Sequence, residues 1–451
     1  MNRRRALDDI SRGLDGRRLV WFGTRGEDVE AIADLPELSA SFSIIAPHHG
    51  RSMLDSVALE ELTGVRVDLD MHDIDDEPPH AEAVDELRRR LLHTLSRRTA
   101  LFTYRPSTLV SAVAFARRER CRYLGLFKDH QAAFEHKPWV ETEVAQLGVA
   151  HIPWTYISDE EQLVTLQFLD EGPVMLRRSR SSGGVGLLRL DDGSLLAESW
   201  PQEDEAYVSV APFIDAALPV NVSAVIWHDG ITIHPASVQL IGIPSLTGRP
   251  FGYCGNDFGA VTDLEREQVE AIEAAVMRIG RWLGSHGYRG AFGVDFLVTP
   301  EGVPLFTEVN ARFQGSTHAS GQIAVASDES GLMLDHLAAL LGLDAPSSRG
   351  LWEQAHDIAR FAHFVVHWLG GTAERIDARP LVAALRAMPA TRRIDIVTPN
   401  GLLTNPGATV ARVTVQDRVT ATGFDLASRW ETVVRDAMAT AVSTDLRGSP
   451  R

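Results

Sequence analysis

Gly293-Val294-Asp295-Phe296-Leu297-Val298 and, after a turn, Val303-Pro304-Leu305-Phe306-Thr307-Glu308-Val309-Asn310-Ala311-Arg312 decide the reading of this chain. The two runs read as a β-hairpin. Successive side chains of a strand point to opposite faces, so Glu308 and Asn310 leave the same one. A two-residue loop at Glu301-Gly302 would set Asp295 directly opposite Glu308, with Cβ atoms about 5 Å apart. Two carboxylates that close repel unless a cation lies between them, and an Asp, a Glu and an Asn carbonyl suit hard Mg²⁺. Taken alone, the pattern also suits a half-exposed hairpin whose polar face meets water.

Upstream, Arg177-Arg178-Ser179-Arg180-Ser181-Ser182-Gly183-Gly184-Val185-Gly186 follows a strand at Pro173 to Leu176. Small residues let backbone N–H groups converge on a phosphate, hydroxyls add donors and arginines add charge. It is not a P-loop, because G-x-x-x-x-G-K-[ST] is absent, and a mobile basic hairpin is the alternative. Around these two segments, short strands alternate with Gly-rich turns at Tyr207 to Val210, Val222 to Trp227 and Ile231 to His234, with Asp192-Gly193 and Asp229-Gly230 as hairpin dipeptides. Thr262-Asp263-Leu264-Glu265 reads as a capping box that opens a helix running to about Gly284.

Before residue 125, strand signals at Arg18 to Phe22, Phe42 to Ala46 and Ala100 to Tyr104 alternate with helical stretches such as Ala81 to Arg98, the pattern of parallel βαβ units. Gly23-Thr24-Arg25-Gly26 lacks the G-x-G-x-x-G spacing of a dinucleotide site. Pro346 to Gly350 reads as a linker, and the last hundred residues as a small α+β unit with strands near 393–398 and 409–415. His363 and His367 have metal-like i, i+4 spacing but lack the H-E-x-x-H glutamate and sit in an apolar run, which reads as core. His48-His49 beside Gly50 reads as a turn.

The 451 residues suggest about three domains. A formal charge of −17 disfavours a phosphate backbone as partner, and no stretch approaches 18 uninterrupted apolar residues, so neither nucleic acid nor a membrane is expected. Cys121 and Cys254 cannot form a disulfide framework and suit a reducing cytoplasm. Of 44 basic residues only Lys128 and Lys137 are lysine, which draws notice to both, since arginine does not replace an ammonium equivalently.

In order and spacing, the Gly-rich loop, the later Asp295 and the Glu308-x-Asn310-x-Arg312 run resemble the ATP-grasp superfamily. Lys137-Pro138-Trp139, opening a helix that ends at Leu147-Gly148-Val149, resembles the family's early lysine. The resemblance implies an ATP-grasp domain over 126–345, with a nucleotide lid at about 150–210 and a catalytic core at 211–345. A pre-ATP-grasp α/β domain at 1–125 would precede it and a small α+β domain at 350–451 would follow, for an α/β and α+β chain overall. It implies Asp295, Glu308 and Asn310 as Mg²⁺ ligands (Mn²⁺ fits the same set). ATP would meet Lys137, Arg177, Ser179, Ser181, Ser182, Gly183 and Gly184, the hinge backbone at Ala211, Phe213 and Ile214, and Asn221 near the ribose. Arg312 and Ser316 would serve catalysis. Position 177 is arginine where most members have lysine, and position 221 is asparagine where they have an acid. Phe251 to Phe258 and Asn310 to Thr317 resemble the pheganomycin-type peptide ligases of natural-product, antibiotic-forming pathways. The expected reaction is ATP-dependent joining of a carboxylate to an amine or peptide through an acylphosphate, by a homodimer. Carboxylase or kinase chemistry, or a non-catalytic nucleotide regulator, are the alternatives.

Overall fold

The computed structural model describes residues 2–45, 54–63, 81–96, 98–104, 106, 110, 113, 116–126, 128–158, 162–193, 207–358, 360–396, 398 and 403–441. His48 and His49 lie outside these residues, as does whatever strand Asp192-Gly193 leads into. The amino-terminal segment is a parallel sheet of β1 (Arg18–Arg25), β2 (Leu38–Ile45), β3 (Asp55–Ala58), β4 (Thr99–Thr103) and β5 (Cys121–Leu124), in the order β3-β2-β1-β4-β5. Its strands are buried on both faces, which is why Leu19 to Phe22 is a continuous apolar run and not an alternating one. The chain order reverses between β1 and β4, so their carboxyl ends open a crevice of the kind that faces ligands in such sheets. Just past the end of β4, Tyr104 donates its hydroxyl to the Gln314 carbonyl at 3.2 Å.

A four-stranded antiparallel sheet follows: β6 (Thr155–Ile157), β7 (Val174–Ser182), β8 (Val185–Leu190) and β9 (Val208–Pro212), ordered β6-β9-β7-β8. Ser182 pairs with Val185, so Gly183-Gly184 is the two-residue tip of the β7–β8 hairpin, and both glycines have positive φ (58° and 83°), as a type I′ turn requires.

The largest sheet carries β10 (Leu218–Ile226), β11 (Ile231–Ile233), β12 (Ser237–Ile241), β13 (Tyr253–Asp257), β14 (Gly290–Val298), β15 (Pro304–Asn310) and β16 (Ala362–His367). Beyond β16 come β18 (Thr391–Ile396) and β20 (Thr409–Val415), in the order β15-β14-β10-β12-β13-β16-β20-β18; β17 (Glu374–Arg375) and β19 (Leu403–Thr404) pair apart from it. The strands expected in the last hundred residues are therefore present, but they extend the central sheet across residue 350. β13 and β16 pair Asn256 with His363 to make the join. His363 and His367 are buried within β16.

The long helix Arg266–Ser285 packs Ile272, Val276, Ile279 and Leu283 against the central sheet. Its capping box is Glu265 with Gln268, three residues later than expected. Thr262 lies in a 3₁₀ turn (Gly259–Asp263) and spends its hydroxyl on the Gly259 carbonyl, so it cannot cap the helix.

Candidate active site

Asp295 and Glu308 face each other as expected, but through a different loop. The β14–β15 turn closes with Thr299 bonded to Val303, and Val298 pairs with Pro304, which offsets the register by one residue from a two-residue loop. An irregularity opposite Asp295/Phe296 restores the offset, so Glu308 regains its place across from Asp295. The bulge, and not the turn, aims Glu308 into the site.

Asp295 is buried and meets a layer of amides. Asn221, its cross-strand partner on β10, donates to Asp295 Oδ1. Gln239 and Gln314 reach the same oxygen at 3.4 Å, and the Asn310 amide donates to Asp295 Oδ2 at 3.1 Å and to Glu308 Oε1 at 3.3 Å. Burial, then the Glu308 charge, pushes the Asp295 carboxyl up to about 7. Burial would raise Glu308 too, but Lys137, Arg312 and Arg177 outweigh it and hold Glu308 below the usual carboxylate range.

Lys137 opens the helix Lys137–Gln146, and its Nζ lies 3.7 Å from Glu308 Oε2. The helix ends at Gly148, left-handed at φ 68°, with the Val149 amide returning to the Val144 carbonyl. The following backbone lies alongside β15, with Ile152 and Phe306 exchanging hydrogen bonds with the Phe306 and Ala150 carbonyls. This strap fixes Lys137 over the carboxylates. Arg312 Nε lies 3.2 Å from Glu135 Oε1. Burial would lower the Arg312 pKa, but Glu135, Glu308 and Asp295 raise it, so the guanidinium stays charged.

These oxygens fit a divalent cation. Asp295 and Glu308 repel, and the Asn310 amide bridges them with its NH₂ group, where a cation would offer positive charge. With the amide turned, its carbonyl would complete an all-oxygen donor set for Mg²⁺ or Mn²⁺.

Several expected residues stand elsewhere. Asn221 spends its side chain within the protein. It is buried, with its NH₂ on Asp295 and Gln314 and its carbonyl accepting from Ser316 at 3.0 Å. Ser316 is likewise buried, its hydroxyl committed to Asn221, so both residues buttress Asp295 from below. In the hinge, Ala211 pairs with Met175, the Phe213 amide is spent on the Pro173 carbonyl at 2.8 Å, and the Phe213 ring lies under Arg189. Among the described residues the Ile214 amide makes no hydrogen bond. The side chains of Ser179, Ser181, Ser182 and Lys128 lie outside the described residues. A Cβ on Gly184 would sit 1.9 Å from the Phe251 carbonyl oxygen, so the hairpin tip docks against residues 251–252. Arg177 is buried and paired with Glu141, a residue the sequence did not single out; nor did it single out Gln239 or Gln314.

Residues 165–316 match the family model of the ATP-grasp domain. No curated protein matches the chain. Among solved structures it is similar to carboxyaminoimidazole ribonucleotide synthase from Aspergillus clavatus complexed with ATP, at 12% identity and TM-score 0.58, covering 94% of this chain and 99% of that one. The N5-carboxyaminoimidazole ribonucleotide synthetase from Thermus thermophilus aligns at 14% identity and TM-score 0.57, covering 94% and 98%. The biotin carboxylase domain of Hydrogenobacter thermophilus 2-oxoglutarate carboxylase, in complex with MgADP and bicarbonate, aligns at 15% and 0.60, covering 89% and 86%. The chain has the ATP-grasp fold.

Proposed function

We propose that this protein is an ATP-dependent carboxylate–amine ligase. The observation that carries the reading is the facing carboxylates of buried Asp295 and half-buried Glu308, which with Arg312 lie within the segment that matches the ATP-grasp domain, and Lys137 reaching Glu308 from the helix before it. A bound Mg²⁺, held by Asp295, Glu308 and Asn310, would neutralise phosphate charge. Lys137 and Arg177 supply positive charge to the nucleotide, and the β7–β8 hairpin covers it. A substrate carboxylate oxygen attacks the γ-phosphorus, ADP leaves, and an amine displaces phosphate from the acylphosphate to form the amide. Arg312 stabilises the charge that develops on the phosphoryl and tetrahedral oxygens.

The finer parts of the reading rest on the sequence resemblance at Phe251 to Phe258 and Asn310 to Thr317: a peptide-type acceptor, natural-product biosynthesis, a cytoplasmic homodimer. A carboxylase is the second reading, favoured by the neighbours' names, which specify carboxyaminoimidazole synthesis and biotin carboxylation. ADP release against a panel of amino acids, singly and in pairs, and against bicarbonate, with mass spectrometry of products, separates the two. Pair-dependent ADP with an amide-linked mass is expected. Bicarbonate-dependent ADP without amide would replace the ligase by the carboxylase.

A further inference from the structure

Arginine at 177 needs support that a lysine would not. A guanidinium is larger and forked, and a buried charge requires a partner and oriented hydrogen bonds. Arg177 is 4% exposed. Its terminal NH2 nitrogen lies 2.8 Å from Glu141 Oε1, 3.4 Å from the Tyr156 hydroxyl and 3.3 Å from Ser209 Oγ. The Trp154 ring lies beneath it, 3.9 Å from the guanidinium carbon. Tyr156 donates its hydroxyl to the other oxygen of Glu141, so three side chains from separate elements converge on one edge of the fork. Glu141 is itself buried and stands one helical turn after Lys137 on the same helix.

The fork is not fully spent. Arg177 Nε is buried with no hydrogen-bond partner among the described residues, and so is the neighbouring Trp154 Nε1. We infer that Glu141 is a positioning residue for the nucleotide: it anchors Arg177 by one edge so that the remaining donors face the phosphates, with Tyr156 and Ser209 fixing the angle. This rests on the ATP-dependent reading above and deepens it by explaining how arginine works at position 177. Lysine carries its three donors on one nitrogen, so it cannot hold Glu141 with one atom and present a second, separate nitrogen in a fixed plane.

The test is a double-mutant cycle with Glu141→Ala, Arg177→Lys and the pair, read by MgATP calorimetry and by KM and kcat for ADP formation, with melting curves to confirm folding. Wild-type protein that binds no MgATP would overturn the nucleotide reading itself. Given wild-type binding, Glu141→Ala should weaken ATP about 10-fold or more, with kcat changed less than about 3-fold. Glu141→Gln, which still accepts from Arg177, should recover part of the loss. The double variant should be no worse than the weaker single, because both changes remove one shared interaction. Unchanged affinity in Glu141→Ala, or strictly additive losses, would overturn the inference. If Glu141→Ala fails to fold, Glu141→Gln and Tyr156→Phe carry the test: both must raise KM, and an unchanged KM in either overturns it.

Discussion

At the scale of single residues, the carboxylates of the hairpin have opposite characters. Glu308 is held charged by three cations, whereas Asp295 is buried among amides beside a like charge. The Asp295 carboxyl, pushed up to about 7, keeps a proton in the folded state that it loses near pH 4 when unfolded. Between those values the native state binds more protons, so stability of the metal-free protein should fall as pH rises from about 4 to about 7 and level off above. Asp295→Asn should flatten that slope and raise the melting temperature at pH 8; melts from pH 5 to 8 check it, and an unchanged slope would show that Asp295 is not the group responsible. Glu308→Gln is a different experiment, because it removes the partner of Lys137 and a charge facing the phosphates. Its kcat for ADP formation should drop on the order of 10²-fold, the usual cost of one lost transition-state electrostatic contact. Sequence reading placed Asp295 opposite Glu308, though through a two-residue loop that a bulge replaces, and did not reach their opposite characters. It could not reach the amide layer, since Asn221 and Gln239 meet Asp295 only through the strand order β14-β10-β12, and Gln314 comes from the loop after β15.

At the scale of elements, two signals were misplaced for physical reasons. Thr262-x-x-Glu265 fits the capping-box signature and Glu265-x-x-Gln268 does not, yet the helix uses the second, because the Thr262 hydroxyl turns back to the Gly259 carbonyl. The hairpin loop is longer by one residue than Glu301-Gly302, and a bulge absorbs the difference. The Gly-rich hairpin, by contrast, was legible as a turn, and the structure separates its two glycines. A side chain at Gly184 strikes the Phe251 carbonyl, while nothing lies within 4 Å of a Cβ at Gly183. Gly184→Val should therefore raise the ATP KM strongly, and Gly183→Ala less, through the strain of its left-handed φ of 58° and with no steric clash. Equal effects in ADP-formation kinetics would place the lid tip elsewhere.

At the scale of the whole molecule, the first and last segments lock together behind the site. Arg412 on β20 pairs with Asp28 at 2.8 Å and with Glu27 at 3.6 Å. His318, in the helix that follows the Arg312 loop, contacts Asp28 at 3.4 Å and Asp395 at 3.0 Å. Burial would raise both aspartates, but Arg412 and His318 at Asp28, and His318 and Arg393 at Asp395, hold them below the ordinary range. Their stabilising contribution is complete above about pH 4 and is lost as pH falls below it. Arg412→Met keeps most of the volume but leaves buried Asp28 with His318 as its close partner, so urea unfolding should show a loss of up to about 3–5 kcal/mol. Adding Asp28→Asn should restore part of it. No recovery would mean that packing, not charge, governs the junction. No such lock was legible from the sequence, because residues 395 and 412 sit on strands of the sheet that runs on past residue 350, while 28 and 318 come from two helices far from them in the chain.

The central claim is that a substrate carboxylate takes the γ-phosphoryl group before the amine arrives. It is tested most directly with the productive carboxylate labelled with ¹⁸O at both oxygens, followed by mass analysis of the phosphate released. Attack of a carboxylate oxygen on phosphorus and later loss of phosphate carry one labelled oxygen away for each amide bond formed. The account predicts one ¹⁸O in the phosphate and one left in the amide. Unlabelled phosphate accompanying amide formation would contradict it.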